Sequence, residues 1–301
     1  MAVPFWSVAM NRRNLLIHSL RWATLVVSTA TAIAQAPQQP AAPFVTHQLK
    51  PNIYWIEGGG GNSTVIVGTN GVIVIDAKTT KAGGQELLDD IAKITPKPVT
   101  TVILTHSDGD HVNGLAAFPA GVKVIAHENN KKEQETALAA GGRGAPPADH
   151  QPTQVITKEK EALTIEGEKL ELYHWAPAHT SGDLIVYLPT QKIVATGDII
   201  STGNPYPRIH DEKNGSTEGW ITTAKGIAAL NADTFIPGHG NIQTKADIEK
   251  RIADAEARRN QVKEMVAQGK SLDDIKAAVG DSDKLNYKSW TQICYEELTK
   301  K

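Results

Sequence analysis

The sequence predicts a layered α/β domain in one piece. Three observations carry this. Short β-branched runs cluster early in the chain and again in its middle. Single helical patterns separate them without a strict strand–helix–strand alternation. From Phe44 onward there is no internal repeat, no low-complexity block and no second linker.

The elements follow in order. Ile53–Ile56, Ser63–Val67 and Val72–Ile75 are strands, with Gly58–Gly61 and Thr69-Asn70-Gly71 as turns. Asn70-Gly71 between two apolar runs is a hairpin signal. A helix over Lys81–Lys93 puts Leu87, Leu88, Ile91 and Ile94 on one face, and Pro96 and Pro98 end it. Val99–Leu104 and Val122–Ala126 are strands, and a polar helix follows His127. Gly141–Pro152 is a Gly/Pro-rich loop. Residues 155–196 hold four or five strands, among them Leu170–Trp175, Leu184–Leu188 and Ile193–Ala195. A helix starts near Thr217 and the short strand Thr234–Ile236 comes next. Two helices close the chain, announced by Thr244/Asp247 and Ser271/Asp274, capping boxes with Asp in place of Glu.

Of the 301 residues, 40% are hydrophobic and 21% charged, enough apolar material for a core and too much for intrinsic disorder. The formal charge of −2 offers no global basic field for nucleic acid. Cys294 is the only cysteine, which excludes an internal disulfide and any Cys-rich metal site. A buried, inert thiol is expected there.

Residues 1–36 read as a secretory signal peptide. Arg12, Arg13 and Arg21 are basic and no acid occurs in this stretch, the apolar run Trp22–Ile33 follows, and Ala34-Gln35-Ala36 has the small-x-small form of a cleavage site. The run is too short to span a bilayer comfortably. Arg12-Arg13 also has the form of a twin-arginine signal, so export is by that route or the general secretory one. Residues 37–44 form a Pro/Gln/Ala linker, and residues 45–301 the domain. The expected product is periplasmic or secreted, with no stable membrane insertion after cleavage.

The chemistry sits in loops that leave these strands. After Val99–Leu104 comes Thr105-His106-Ser107-Asp108-Gly109-Asp110-His111, four potential ligands within six residues. His179 lies in Ala178-His179-Thr180-Ser181-Gly182-Asp183, Asp198 in Thr196-Gly197-Asp198 and His239 in Pro237-Gly238-His239-Gly240. Histidine with carboxylate suits a divalent transition metal.

These motifs resemble those of the metallo-β-lactamase superfamily, whose signature is His-x-His-x-Asp-His followed by a His, a bridging Asp and a final His. The resemblance spans most of residues 44–260. It implies a four-layer αββα sandwich with a dinuclear metal site at one edge. It implies that His106, Asp108 and His179 hold one metal, that Asp110, His111 and His239 hold the other, and that Asp198 bridges them. Asp76, after Val72–Ile75, matches a supporting aspartate rather than a ligand. The implied chemistry is hydrolysis by a metal-bridging hydroxide of an ester, thioester, lactone or β-lactam, with Asp110 orienting the nucleophile.

Asp108 departs from the pattern, which has His at that place. The resemblance to the flavodiiron branch, with Glu there, makes iron or manganese the alternative to two zinc ions. With Asp108, Asp110 and Asp198 ionised, the protein supplies −3 against +4 from two divalent metals, and a weaker Lewis acid is expected than with a neutral imidazole. A di-iron redox or sulfur dioxygenase-like enzyme, or a non-catalytic metal-binding accessory protein, are the other readings. The loop 201–216 should flank the site and offers Tyr206, Arg208 and His210 to a small-molecule substrate. Ser201 stands where some lactamases carry a substrate-gripping Lys, which weighs against a β-lactam. Thr180 and Ser181 could add hydrogen bonds near a ligand. His47, His150 and His174 are expected at the surface, and His127 in a structural role. No nucleic-acid partner is expected.

Overall fold

The computed structural model describes residues 43–141, 145–281 and 287–300. The expected signal peptide and residues 37–42 of the expected linker lie outside these. The linker's last residue, Phe44, is seated on the domain: the Lys78 ammonium stands 5.0 Å from its ring centre.

Two sheets form the middle of the molecule. The first runs β1 (Val45–Lys50), β2 (Ile53–Glu57), β3 (Ser63–Val67), β4 (Val72–Ile75), β5 (Val99–Ile103), β6 (Lys123–His127) and β7 (Gln154–Ile156), side by side in chain order. Its first four strands are antiparallel, joined by hairpins, and β4 to β7 are parallel. The second sheet has the order β12 (Thr234–Ile236), β11 (Ile193–Ala195), β10 (Ile185–Leu188), β9 (Glu168–Tyr173) and β8 (Lys160–Ile165), with only β11 and β12 parallel.

The buried strands are apolar on both faces, which is why they read as continuous runs. In β4, Ile73 and Ile75 face the second sheet, whereas Val72 and Val74 face helix α1 (Lys81–Ile94). The inter-sheet core meets them with Leu172, Val186, Leu188 and Ile193. On the far side of the second sheet lie α4 (Thr217–Ala229), α5 (Lys245–Ala267), α6 (Leu272–Val279) and α7 (Trp290–Thr299), whose Trp220, Ile252, Ile275 and Trp290 pack on Val194 and Phe235. The layers are therefore helix, sheet, sheet, helix, an αββα sandwich. Helix α3 (Glu128–Ala139) starts directly after β6, with His127 as its N-cap.

Among the described residues three helices, not two, follow β12. Helix α7 carries Trp, Thr, Ile, Cys and Tyr, residues of modest helix propensity, and tertiary packing of Trp290 and Ile293 holds it. Both Thr244/Asp247 and Ser271/Asp274 form reciprocal capping boxes. Strand β1 has no counterpart among the expected strands, because it is largely exposed and carries no apolar run. Among the described residues no helix is long and apolar enough to cross a membrane.

Candidate metal centre

Every loop of interest leaves the same edge of the sandwich. β5 delivers His106 and the short helix α2 (Gly109–Val112), which carries Asp110 and His111 with Asp108 at its N-cap. The parallel pair β11 and β12 delivers Asp198, on a 3-10 turn at Gly197–Ile199, and His239. His179 comes from the loop between β9 and β10.

The side chains converge. Donor atoms of His106, Asp108 and His179 lie within 4.8 Å of one another, as do those of Asp110, His111 and His239, and those of His106, His111 and Asp198. Asp108 Oδ2 is 3.3 Å from His179 Nε2 and 3.9 Å from His106 Nε2. Asp110 Oδ2 is 3.0 Å from His239 Nε2 and 3.7 Å from His111 Nε2. Asp198 reaches both groups: one oxygen is 3.2 Å from His111 Nε2, the other 3.4 Å from His239 Nε2 and 3.8 Å from His179 Nε2.

A surrounding set of acceptors fixes which nitrogen each imidazole presents. His111 Nδ1 donates to Asp76 Oδ2 at 2.8 Å. Thr105 Oγ1 donates to the same carboxylate at 2.7 Å and accepts from His106 Nδ1 at 2.9 Å. His179 Nδ1 donates to the Arg208 carbonyl at 2.8 Å. Each Nε2 is thereby left with its lone pair toward the cluster, the arrangement metal-ligating histidines use. Asp183 ties the His179 loop, accepting from the backbone N–H of Ala178 and Thr180 and from Thr180 Oγ1. Asn62 Nδ2 pins the His239 loop through the carbonyls of Pro237 and Gly240, both at 2.9 Å. Two glycines let these loops close in. A Cβ on Gly61 would lie 2.2 Å from the His111 ring, and one on Gly238 would lie 1.8 Å from Asp198 Oδ1.

In the protein alone the carboxylates and imidazoles of the cluster act strongly on one another: burial opposes protonation of His111, yet Asp198 and Asp76 raise it well above the ordinary imidazole range. Burial works against the ionised forms of Asp108 and Asp198, yet the surrounding imidazoles, His179 and His210 for the one and His111 and His239 for the other, hold both well below the usual carboxylate range. Burial likewise opposes protonation of His179 and His239, but Asp108 raises the first to about 9 and Asp110 and Asp198 raise the second to about 9. Burial, then the nearby His111, keeps His106 well below the ordinary imidazole range. His106 Nε2 and Asp198 Oδ1 are buried with no hydrogen-bond partner. Ionised carboxylates, a neutral imidazole and orphaned donor atoms turned inward are a donor set that fits two divalent ions.

The other singled-out residues fall in different places. Tyr206 and Arg208 line the cleft of about 290 Å³ over the donor atoms, with Ser201 and Tyr287. His210 does not: it is buried, with Nε2 2.9 Å from Asp108 Oδ2 and Nδ1 on Glu212. The expected substrate contact at His210 is thus replaced by a contact with Asp108, and the His210 N–H, donating to the His179 carbonyl at 2.8 Å, holds the residue against that loop. Thr180 and Ser181 are engaged with Asp183 and Glu133 rather than the cleft. His150 is buried, bonded to Asp149 and the Phe118 carbonyl, not at the surface.

Lys213 is the residue that sequence reasoning missed. Its Nζ stands 2.5 Å from Asp108 Oδ1 and 3.0 Å from Ser107 Oγ. A single lysine in a loop of polar residues carries no signal of this contact, which spans 105 positions.

Residues 56–239 match the profile of the metallo-beta-lactamase superfamily. The chain is 27% identical over 198 residues to the 2,4-dinitroanisole O-demethylase subunit alpha of Nocardioides sp. (strain JS1661), covering 65% of this chain and 57% of that one. It is 25% identical over 191 residues to the metallo-beta-lactamase type 2 of Bacillus sp. (strain 170), covering 61% of this chain and 68% of that one. A solved stereoselective inverting sec-alkylsulfatase from Pseudomonas sp. superposes with a TM-score of 0.65 at 21% identity, covering 84% of this chain. The chain spans 57% of the demethylase subunit and 47% of the alkylsulfatase.

Proposed function

The chain belongs to the metallo-β-lactamase superfamily, and we propose from that premise that it is a dinuclear-metal hydrolase of small ester-type substrates. The observation that carries this is the convergence of seven donor residues into two groups, with Asp198 reaching both. His106, Asp108 and His179 would hold one ion, Asp110, His111 and His239 the other, with Asp198 between them. Zinc is the first expectation; iron or manganese is the alternative. Divalent ions there supply Lewis acidity and make water a competent nucleophile near neutral pH.

The residues of the chain do the rest. The carboxylate of Asp110 is about one-third exposed and faces the cleft. Burial tends to raise it, but His239 and His111 outweigh burial and bring it down to about 2. It is therefore ionised at neutral pH and able to accept a hydrogen bond from a water and orient it. Arg208 lines the cleft and presents a cation to the polar or anionic end of a substrate. Asn204, Tyr206 and Tyr287 also line a neighbouring pocket of about 450 Å³ with Trp290 and Pro205, whose aromatic and proline walls suit an aromatic or alkyl group.

The substrate we favour is an ester, thioester or lactone with an apolar arm. Ser201 at the cleft offers no ammonium, which leaves Arg208 to meet any substrate carboxylate. The pairing of Arg208 with an apolar pocket also suits an alkyl or aryl sulfate, in keeping with the alkylsulfatase likeness. The expected site of action is extracytoplasmic, from residues 1–36, with no nucleic-acid partner. Metal-free and metal-restored protein should be assayed against carboxylic esters, thioesters, lactones, sulfate esters and a cephalosporin. Turnover that vanishes on chelation and returns with zinc supports the reading; turnover indifferent to chelation contradicts it. An iron-dependent visible spectrum with oxygen consumption would favour the redox alternative.

A further inference from the structure

We propose that Lys213 is the dedicated counter-charge of Asp108, so that the ion pair replaces, in charge, the neutral imidazole expected at that position of the motif. The inference rests on the dinuclear reading above. It begins from a division of labour within one carboxylate. Oδ1 of Asp108 is 2.5 Å from Lys213 Nζ, whereas Oδ2 is the oxygen turned toward the imidazoles, 2.9 Å from His210, 3.3 Å from His179 and 3.9 Å from His106. One oxygen can therefore serve an ion while the other holds the ammonium.

Lys213 is placed for this and not for substrate. It reaches Asp108 from the side of a separate depression that it lines with Asn129, Glu133 and Ser181, and it does not line the cleft over the donor atoms. Its backbone is built into the loop that carries His179. The Lys213 carbonyl accepts from Ser181 N at 2.9 Å, Lys213 N donates to the His210 carbonyl at 3.0 Å, and His210 N donates to the His179 carbonyl at 2.8 Å. The second acceptor of its ammonium, Ser107 Oγ, is itself held by Glu133. The side chain is thus anchored at both ends.

The charge count changes accordingly. Asp108, Asp110 and Asp198 supply −3, and Lys213 brings this to −2, the value the same donor set would carry with an imidazole in place of Asp108. His210 contacts Asp108 through Nε2 and Glu212 through Nδ1. The weaker Lewis acid expected from Asp108 alone is therefore offset within the protein. Lys213 acts through Asp108 and is a positioning and charge-balancing residue.

A double-mutant cycle tests this with metal binding as the readout. Metal-free wild type, Asp108→His, Lys213→Met and the Asp108→His/Lys213→Met double variant are titrated with zinc by calorimetry, with stoichiometry from elemental analysis. In Asp108→His the ammonium has lost its carboxylate and faces a dication, so the affinity of the first site should fall at least about tenfold below that of the double variant. The double variant should come within about threefold of wild type, and Asp108→His/Lys213→Arg should stay as weak as Asp108→His. Equal affinities in Asp108→His and the double variant would overturn the proposal. Circular dichroism of each metal-free protein checks folding. If Asp108→His does not fold, Lys213→Met against Lys213→Arg decides: removing the cation should tighten the first site at least about threefold while arginine leaves it unchanged, and identical behaviour would overturn the proposal. A wild type that binds one zinc or none defeats the dinuclear reading itself, a result visible before any variant is made.

Discussion

Asp76 Oδ2 sits 2.8 Å from Nδ1 of His111, bridging the end of β4 and helix α2 across 35 positions. The same carboxylate accepts from Thr105 N and Thr105 Oγ1, and Thr105 in turn accepts from His106. One buried carboxylate thus sets the tautomers of two imidazoles, the directing role that acceptors behind metal-binding histidines play.

Replacing that acceptor should loosen the centre without dismantling the fold. Asp76 has φ +64°, which asparagine tolerates, so Asp76→Asn keeps the backbone and the Thr105 N–H acceptor. Its amide group presents a donor where His111 needs an acceptor. Zinc affinity should drop about 10- to 100-fold with little change in the melting temperature of the metal-free protein. Unchanged affinity would remove Asp76 from the account of the site.

His111→Ala or His239→Ala should each lower metal content by about one ion and reduce kcat at least about 100-fold. Elemental analysis and turnover on the best substrate check this together. Full occupancy with normal turnover in His239→Ala would refute the second donor group.

Lys78 predicts a pH dependence of stability. It is fully buried, with Nζ donating to the carbonyls of Ile56 and Gly61 at 2.8 and 2.9 Å. Burial lowers it to about 7, against a partial rise from Asp76. Between about pH 7 and the ordinary lysine value the unfolded chain binds a proton that the native chain does not, so stability rises with pH there, by about 1 kcal/mol per pH unit. Below pH 7 both states are protonated and the slope vanishes. Urea denaturation of wild type and Lys78→Met at pH 7 and 9 should show this difference in slope; parallel curves would contradict it.

Cys294 lies on α7, fully buried against the helical layer. Burial, opposed by Thr217, pushes its thiol up to about 11. A thiol reagent at neutral pH should leave the native protein unmodified and label it once upon unfolding. Rapid labelling of the native protein would show that α7 opens easily.

Much of this was legible in the sequence, for identifiable reasons. The strands β5, β9, β11 and β12 carry buried apolar residues that mark them in the sequence, and His106, His179, Asp198 and His239 lie in the loops that leave them. The Gly-flanked loops around His106, His179, Asp198 and His239 could be located from those runs alone. Strand β1 could not, because Thr46, Gln48 and Lys50 interrupt its pattern and solvent covers much of it. Lys213 and the inward turn of His210 could not, because both depend on a loop closing onto Asp108, a long-range event with no local periodicity.

Anomalous diffraction at the zinc edge, from crystals of the zinc-loaded protein, tests the two-ion assignment most directly. Two peaks are expected, one about 2.1 Å from donors of His106, Asp108 and His179, the other at that distance from Asp110, His111 and His239, with Asp198 between them. A single peak, or ions bound away from these seven side chains, would contradict it.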